Sequence, residues 1–195
     1  MITWKDISTL TLFLVLLLGM ASIATVNGAQ PERERSDDRG ACGYQEIKKR
    51  WELPAIRGWV LNEDEGRPLN AILYLPPGKG IPGADRSLAI DADLKTDFGT
   101  SLDQFSKNHI RHYRSVFEGD VAGTSSIPSY TGKPVELYYF RPKPALSYGI
   151  YQSSVFIEEP QCFIHLHLGT STEQGHKEHM AAFRALVAGF KPKSK

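Results

Sequence analysis

The chain predicts an α+β fold, an antiparallel β-sheet covered by two amphipathic helices, and three observations carry that prediction. Two apolar stripes at helical spacing lie far apart, at about 101 to 116 and 172 to 190, each opened by a capping-box spacing. Elsewhere, short segments alternate apolar and polar residues with the two-residue period of a strand. From Arg114 to Leu168 those segments follow one another too closely for crossover helices, so they must pair antiparallel.

Taken in order, Lys5 and the amino terminus lead into the apolar run Leu10 to Leu18, followed by small residues from Ala21 to Ala29. This is the plan of a secretory signal peptide over 1–29, with cleavage after Ala24, Gly28 or Ala29. The competing reading is a retained anchor, because Leu10 to Val26 approaches the length that spans a bilayer. Decay of the run into Ala, Ser, Thr and Gly favours cleavage, and no Cys stands between positions 18 and 25 for lipid attachment. The expected location is exported, periplasmic or secreted, with no membrane contact once the signal is removed.

Residues 30–45, opening on QPERERSDDRG, read as a flexible polar leader. Residues 46–190 read as a single α+β domain and 191–195 (KPKSK) as a basic tail. Without the signal about 166 residues remain, enough for one hydrophobic core. The 23 Lys and Arg balance 22 Asp and Glu, which excludes the basic excess of a nucleic-acid binder. In an exported protein the two cysteines, Cys42 and Cys162, are most simply a disulfide joining the leader to a late strand. Two free thiols are the alternative, and neither sits in a setting that would make it reactive.

Within the domain, Arg50 to Pro54 and Gly58 to Leu61 are short strand-like pieces broken by Pro54 and Gly58. Pro68 to Leu75 alternates Leu69, Ala71, Leu73 and Leu75, and Ser87 to Leu94 alternates Leu88, Ile90 and Ala92. The loop between them spells G-x-G-x-x-G from Gly78 to Gly83. A dinucleotide site would need a helix opening there; a strand follows instead, and Pro82 lacks an amide, so no nucleotide is expected. Ser101 and Gln104 then cap a helix whose stripe is Leu102, Phe105, His109, Tyr113 and Val116. Strand candidates follow at Arg114 to Glu118, Pro134 to Phe140, Tyr148 to Glu158 and Gln161 to Leu168, with Gly123 to Pro128 read as a loop. Ser171 and Gln174 cap the closing helix, whose stripe is Met180, Phe183, Val187 and Phe190, with Leu186 beside it.

The Gly58-Trp59 opening, the paired strands, a capped helix ending in Tyr113-Arg114, a Tyr-rich hairpin, and a last strand running into Ala182 to Val187 and Phe190 form one pattern. Together they resemble the PsbP/Mog-type α/β/α sandwich, and in particular its small exported bacterial members of unknown function. The resemblance covers Trp51 to Phe190 and rests on packing positions. It implies a fold and a non-catalytic accessory, assembly or binding role with a protein partner, and it implies no chemistry.

The six histidines come as pairs, His109 with His112, His165 with His167, and His176 with His179, at spacings that put both rings on one side of a helix or strand. His109, His112, His165 and His167 are candidate ligands for zinc or copper, provided the first long helix covers the Phe163 face of the last strand. His176 and His179 would then belong to the other face. The plainer alternative is that each ring hydrogen-bonds a neighbour and does nothing more. For a protein partner, the candidate face is Glu136, Tyr138 and Phe140 with Tyr148 and Tyr151, aromatics that equally serve to stabilise a sheet. A cleft enzyme without a recognisable motif is the third reading. No catalytic residue is assigned: there is no G-x-S-x-G, and Asp91, Asp93, Asp97, Asp103 and Asp120 lack calcium-loop spacing.

Overall fold

A computed structural model describes residues 42–143 and 149–194. The expected signal segment, leader residues 30–41 and Tyr148 lie outside them. In chain order the elements are α1 (Tyr44–Arg50), β1 (Trp51–Glu52), β2 (Val60–Leu61), α2 (Glu63–Gly66), β3 (Ile72–Leu75), β4 (Arg86–Leu94) and α3 (Lys95–Phe98). They continue with α4 (Leu102–Phe117), β5 (Asp120–Pro128), β6 (Pro134–Arg141), β7 (Tyr151–Glu158), β8 (Cys162–Thr170), α5 (Glu173–Gly189) and β9 (Lys191–Pro192).

One seven-stranded antiparallel sheet runs β2-β3-β4-β8-β7-β6-β5, with β1 and β9 as a separate two-stranded ribbon. The fold is therefore α+β, as expected. Its centre is the pairing of β4 with β8, in register from Arg86 opposite Thr170 to Leu94 opposite Cys162. Every residue of β8 is buried because helices cover both faces of the sheet. α4 covers the Phe163 face, where Phe105 stacks on Phe163 with ring centroids 4.6 Å apart. α5 covers the other face, packing Phe183, Leu186 and Val187 against Ile164, Leu166 and Leu168.

Both long helices begin where a hydroxyl satisfies a free amide. The Ser101 hydroxyl accepts from the Gln104 amide at 3.2 Å, as predicted. The second cap is Thr172, accepting from Gly175 at 3.0 Å, in place of the expected Ser171. Ser171 is still held by the sheet's end, its amide donating to the Asp85 carbonyl, so the helix starts one residue later.

Four further expectations are corrected. Arg114 to Glu118 closes α4 rather than forming a strand, and Glu118 ends it in the left-handed region at φ 48°. The Gly123 to Pro128 loop is the outer half of β5, an edge strand whose side chains are nearly all exposed except Ile127. Without a buried face there was no apolar alternation to read. Residues 42–45, assigned to the flexible leader, are ordered: Tyr44 is buried and its amide donates to Asn70 Oδ1 at 2.8 Å. The basic tail starts as a strand, Lys191 and Pro192 pairing with Glu52 and Trp51.

Cys42 and Cys162 form the disulfide, with Cα atoms 6.0 Å apart across a separation of 120 residues. Among the described residues, no helix is long and apolar enough to cross a membrane.

Candidate metal centre

The register of the central strands assembles the site. Asp91 of β4 lies directly opposite His165 of β8, and Phe156 of β7 flanks His165 on its other side. Ser154 of β7 lies opposite His167. Because side chains alternate along a strand, all of these face α4, whose stripe sets His109 over His165 with ring centroids 4.5 Å apart.

Donor atoms of three residues converge here. His165 Nδ1 and His167 Nδ1 are 3.3 Å apart. Asp91 Oδ1 is 3.2 Å from His165 Nδ1, and Asp91 Oδ2 is 3.9 Å from His167 Nδ1. The shorter carboxylate approach lies off the line that a hydrogen bond needs, so Asp91 Oδ1 is buried without a hydrogen-bond partner. His165 is wholly buried, whereas the Asp91 side chain keeps 17 % of its surface and forms the edge of the site nearest water.

The electrostatics favour a ligating state. Burial alone would raise the Asp91 carboxyl, but His165 and His167 outweigh it and hold the group below its ordinary range. Burial and the neighbouring His165 push the His167 imidazole down to about 3 against the opposing pull of Asp91. His109 is lowered well below its usual value, mainly by burial and then by the neighbouring histidines. At neutral pH His167 is therefore a neutral ring, the form in which an imidazole binds metals.

A hydrogen-bonded relay lies behind the donors. His165 Nε2 is 2.9 Å from Ser154 Oγ, which accepts from the Gln152 amide at 2.8 Å. The same amide nitrogen lies 3.1 Å from His109 Nε2. Phe140 and Phe156 pack edgewise on the His109 ring. Ser154, His165 and Asp91 follow the order of a hydrolase triad, although the 3.2 Å approach of His165 to Asp91 is not a hydrogen bond. The serine is nonetheless fully buried, with its hydroxyl bracketed by Gln152 and His165, so a substrate carbonyl has no approach to it.

Of the four predicted ligands, the structure brings His165 and His167 together and sets His109 beside them with its Nε2 held by Gln152. His112 is not part of the cluster: it sits half-buried on α4, with its main-chain carbonyl accepting from Ser115. Asp91 takes its place in the donor group. Sequence reading missed Asp91, Gln152 and Ser154. Asp91 shares its strand face with Ser87, Ala89 and Asp93, which reads as a solvent face until α4 is laid over it.

The remaining histidines belong to the other face. His176 meets Ser153 Oγ at 2.9 Å, and His179 packs edgewise on Trp59. The partner face expected at Glu136, Tyr138, Phe140, Tyr148 and Tyr151 is not one surface. Phe140 is fully buried beneath α4, Tyr151 points to the α5 side, and Tyr148 lies outside the described residues. Glu136 and Tyr138 remain, joined by a 2.7 Å hydrogen bond from the phenol to the carboxylate.

No protein-family model and no curated protein matches the chain. Among solved structures it is similar to PA94, a Pseudomonas aeruginosa protein of unknown function, at 16 % identity and TM-score 0.48 over 64 % of this chain and 84 % of that one. It is similar to cyanobacterial PsbP (CyanoP) from Synechocystis at 11 % identity and TM-score 0.47, covering 88 % and 99 % of the two chains. A point mutant of Mog1 gives 9 % identity and TM-score 0.46 over 72 % and 89 %.

Proposed function

We propose that this protein is an exported, non-catalytic binding module whose ligand is a divalent transition-metal ion held by Asp91, His165 and His167. The observation that carries the reading is the convergence of these donors: the two Nδ1 atoms are 3.3 Å apart, the two Asp91 oxygens lie 3.2 and 3.9 Å from them, and one ligand atom from each residue lies within 4.8 Å of the others. Tetrahedral ligands at zinc bond lengths of about 2.0–2.1 Å stand about 3.3–3.4 Å from one another. Small movements of Asp91 would close the set around one ion. Two imidazoles and a carboxylate suit zinc or copper(II) and disfavour calcium and magnesium, which want more oxygen ligands. Ser154 on the far nitrogen of His165 supplies the outer hydrogen bond that ligating histidines carry. Export is supported by the signal-like leader and the Cys42–Cys162 disulfide.

The test is metal analysis of the mature, tag-free protein together with calorimetric titration by zinc. One zinc per chain is expected for the wild type, and loss of binding for His165→Ala and Asp91→Asn. A disulfide-bonded, folded wild type that retains neither zinc nor copper and gives no heat with zinc overturns the proposal.

A further inference from the structure

We infer that Ser154 and Gln152 carry the state of the metal centre to helix α4, by reversing a chain of hydrogen bonds that ends on His109. The inference rests on the metal reading above and adds to it a route by which the ion is felt outside its own ligands.

The argument is one of donor and acceptor bookkeeping. The Gln152 amide nitrogen has two hydrogens and no lone pair to offer, and it faces His109 Nε2 at 3.1 Å and Ser154 Oγ at 2.8 Å. It therefore donates to both, which leaves His109 Nε2 bare and puts the ring proton on Nδ1. The Ser154 hydroxyl has one hydrogen, and its acceptor is His165 Nε2 at 2.9 Å. His165 then carries its proton on Nδ1 and donates to His167 Nδ1 at 3.3 Å. Every link runs in one direction, from the glutamine outward.

An ion bound to His165 through Nδ1 is incompatible with that direction. The ligating nitrogen must be bare, so the ring proton moves to Nε2 and the ring donates to Ser154 Oγ. Ser154 must then turn its own hydrogen towards Gln152. The amide accepts only by rotating half a turn, which brings Oε1 to where its nitrogen was. That oxygen also faces His109 Nε2, so His109 must donate, and its proton moves from Nδ1 to Nε2. Each ring exchanges one proton with water, giving it up at Nδ1 and taking one up at Nε2, so its proton count and charge are unchanged. His167 already presents a bare Nδ1 and needs no change. The result is a switch of the His109 tautomer on the buried stripe of α4, driven by an ion it does not bind.

Long-range proton–nitrogen correlation NMR on histidine-labelled, disulfide-intact protein reads the ring protonation sites directly, with zinc as the probe. The expected result is that zinc shifts both His165 Nε2 and His109 Nε2 from the unprotonated to the protonated range. In Gln152→Leu, zinc should still shift His165 but leave His109 unmoved. Should that variant not fold, Ser154→Ala cuts the same relay one link earlier, and the wild-type spectrum decides by itself. A wild type in which zinc moves His165 while His109 keeps its Nδ1 proton overturns the relay and leaves the metal centre standing. A wild type in which zinc moves neither His165 nor His167 overturns the metal reading itself.

Discussion

On β8, Cys162, Ile164, Leu166 and Leu168 face α5, while Phe163, His165 and His167, interleaved among them, face α4. Both sets are buried, but they are buried by different physics. Under α5 the contacts are largely aliphatic and aromatic, with Phe183, Leu186, Val187 and Phe190 closing the core and the Cys42–Cys162 bridge stapling one corner. Under α4 an aromatic rim of Phe105, Phe140, Phe156 and Phe163 surrounds His109, Gln152, Ser154, His165 and Asp91. Apolar burial stabilises roughly in proportion to the area removed from water. A buried polar group stabilises only if each donor and acceptor finds a partner; Asp91 Oδ1 lacks one on the α4 side, as do Tyr44 Oη and His176 Nδ1 on the α5 side. The comparison teaches that one face is held mainly by apolar contacts, whereas the other gathers its polar groups into one hydrogen-bonded cluster beneath an aromatic rim.

The largest effect that would sharpen this contrast lies in the staple. Replacing Cys42 and Cys162 by Ser is expected to remove about 4 to 5 kcal/mol of stability in the chain-entropy model, and urea unfolding measures it. Zinc binding of the still-folded fraction should be retained, because Cys162 faces α5 and the proposed ligands face α4. Next come two neighbours on β8. Leu166→Ala should lose about 3 kcal/mol and keep zinc, whereas His165→Leu should lose about 1 to 2 kcal/mol and abolish zinc binding. Equal losses of stability and of zinc for the two variants would break the distinction between the faces.

The smallest effect concerns His176, which is buried beneath α5 against Ser153. Burial lowers its pKa from 6.5 to about 4 in the folded protein. The unfolded chain therefore takes up a proton at a higher pH than the native one does. The stability contributed by neutral His176 is complete above about pH 6.5 and is lost as pH falls from there through about 4. Between pH 7 and pH 5 the loss should be about 2 kcal/mol, seen as the difference between wild type and His176→Gln in urea unfolding. A His176→Gln variant with the same pH slope as wild type would show that the ring titrates in the native state as it does in the unfolded chain.

Much of the fold was legible because its signals are local. Ser101 and Gln104 announce a helix start, the stripe from Phe105 to Tyr113 names its buried side, and Leu88, Ile90 and Ala92 alternate as a strand must. The same logic failed where local signal is absent. Strand β5 has an almost wholly exposed set of small polar residues, so its Gly, Thr and Ser read as a loop. Strand β3 is buried on both faces, so only Ile72–Leu75 of the longer alternating stretch forms it. Of the candidate centre, the His165 and His167 pair was visible as a two-residue spacing, but Asp91 was visible only as an acid on an apparent solvent face.

What the sequence determined by itself was therefore the two long helices and the face each would bury, the strands with an alternating apolar side, and the pairing of the two cysteines. These follow from periodicity, caps and residue chemistry within a window of a few turns. Only the tertiary structure decided which residues meet: the β4–β8 register that sets Asp91 against His165, the choice of α4 to cover that face, and the burial of Phe140 away from any partner. The two central strands lie about seventy residues apart in the chain, and a shift of one residue between them would send Asp91 to the opposite face from its neighbours. Register across such a distance is set by the packing of both faces at once, and no short stretch of sequence carries it.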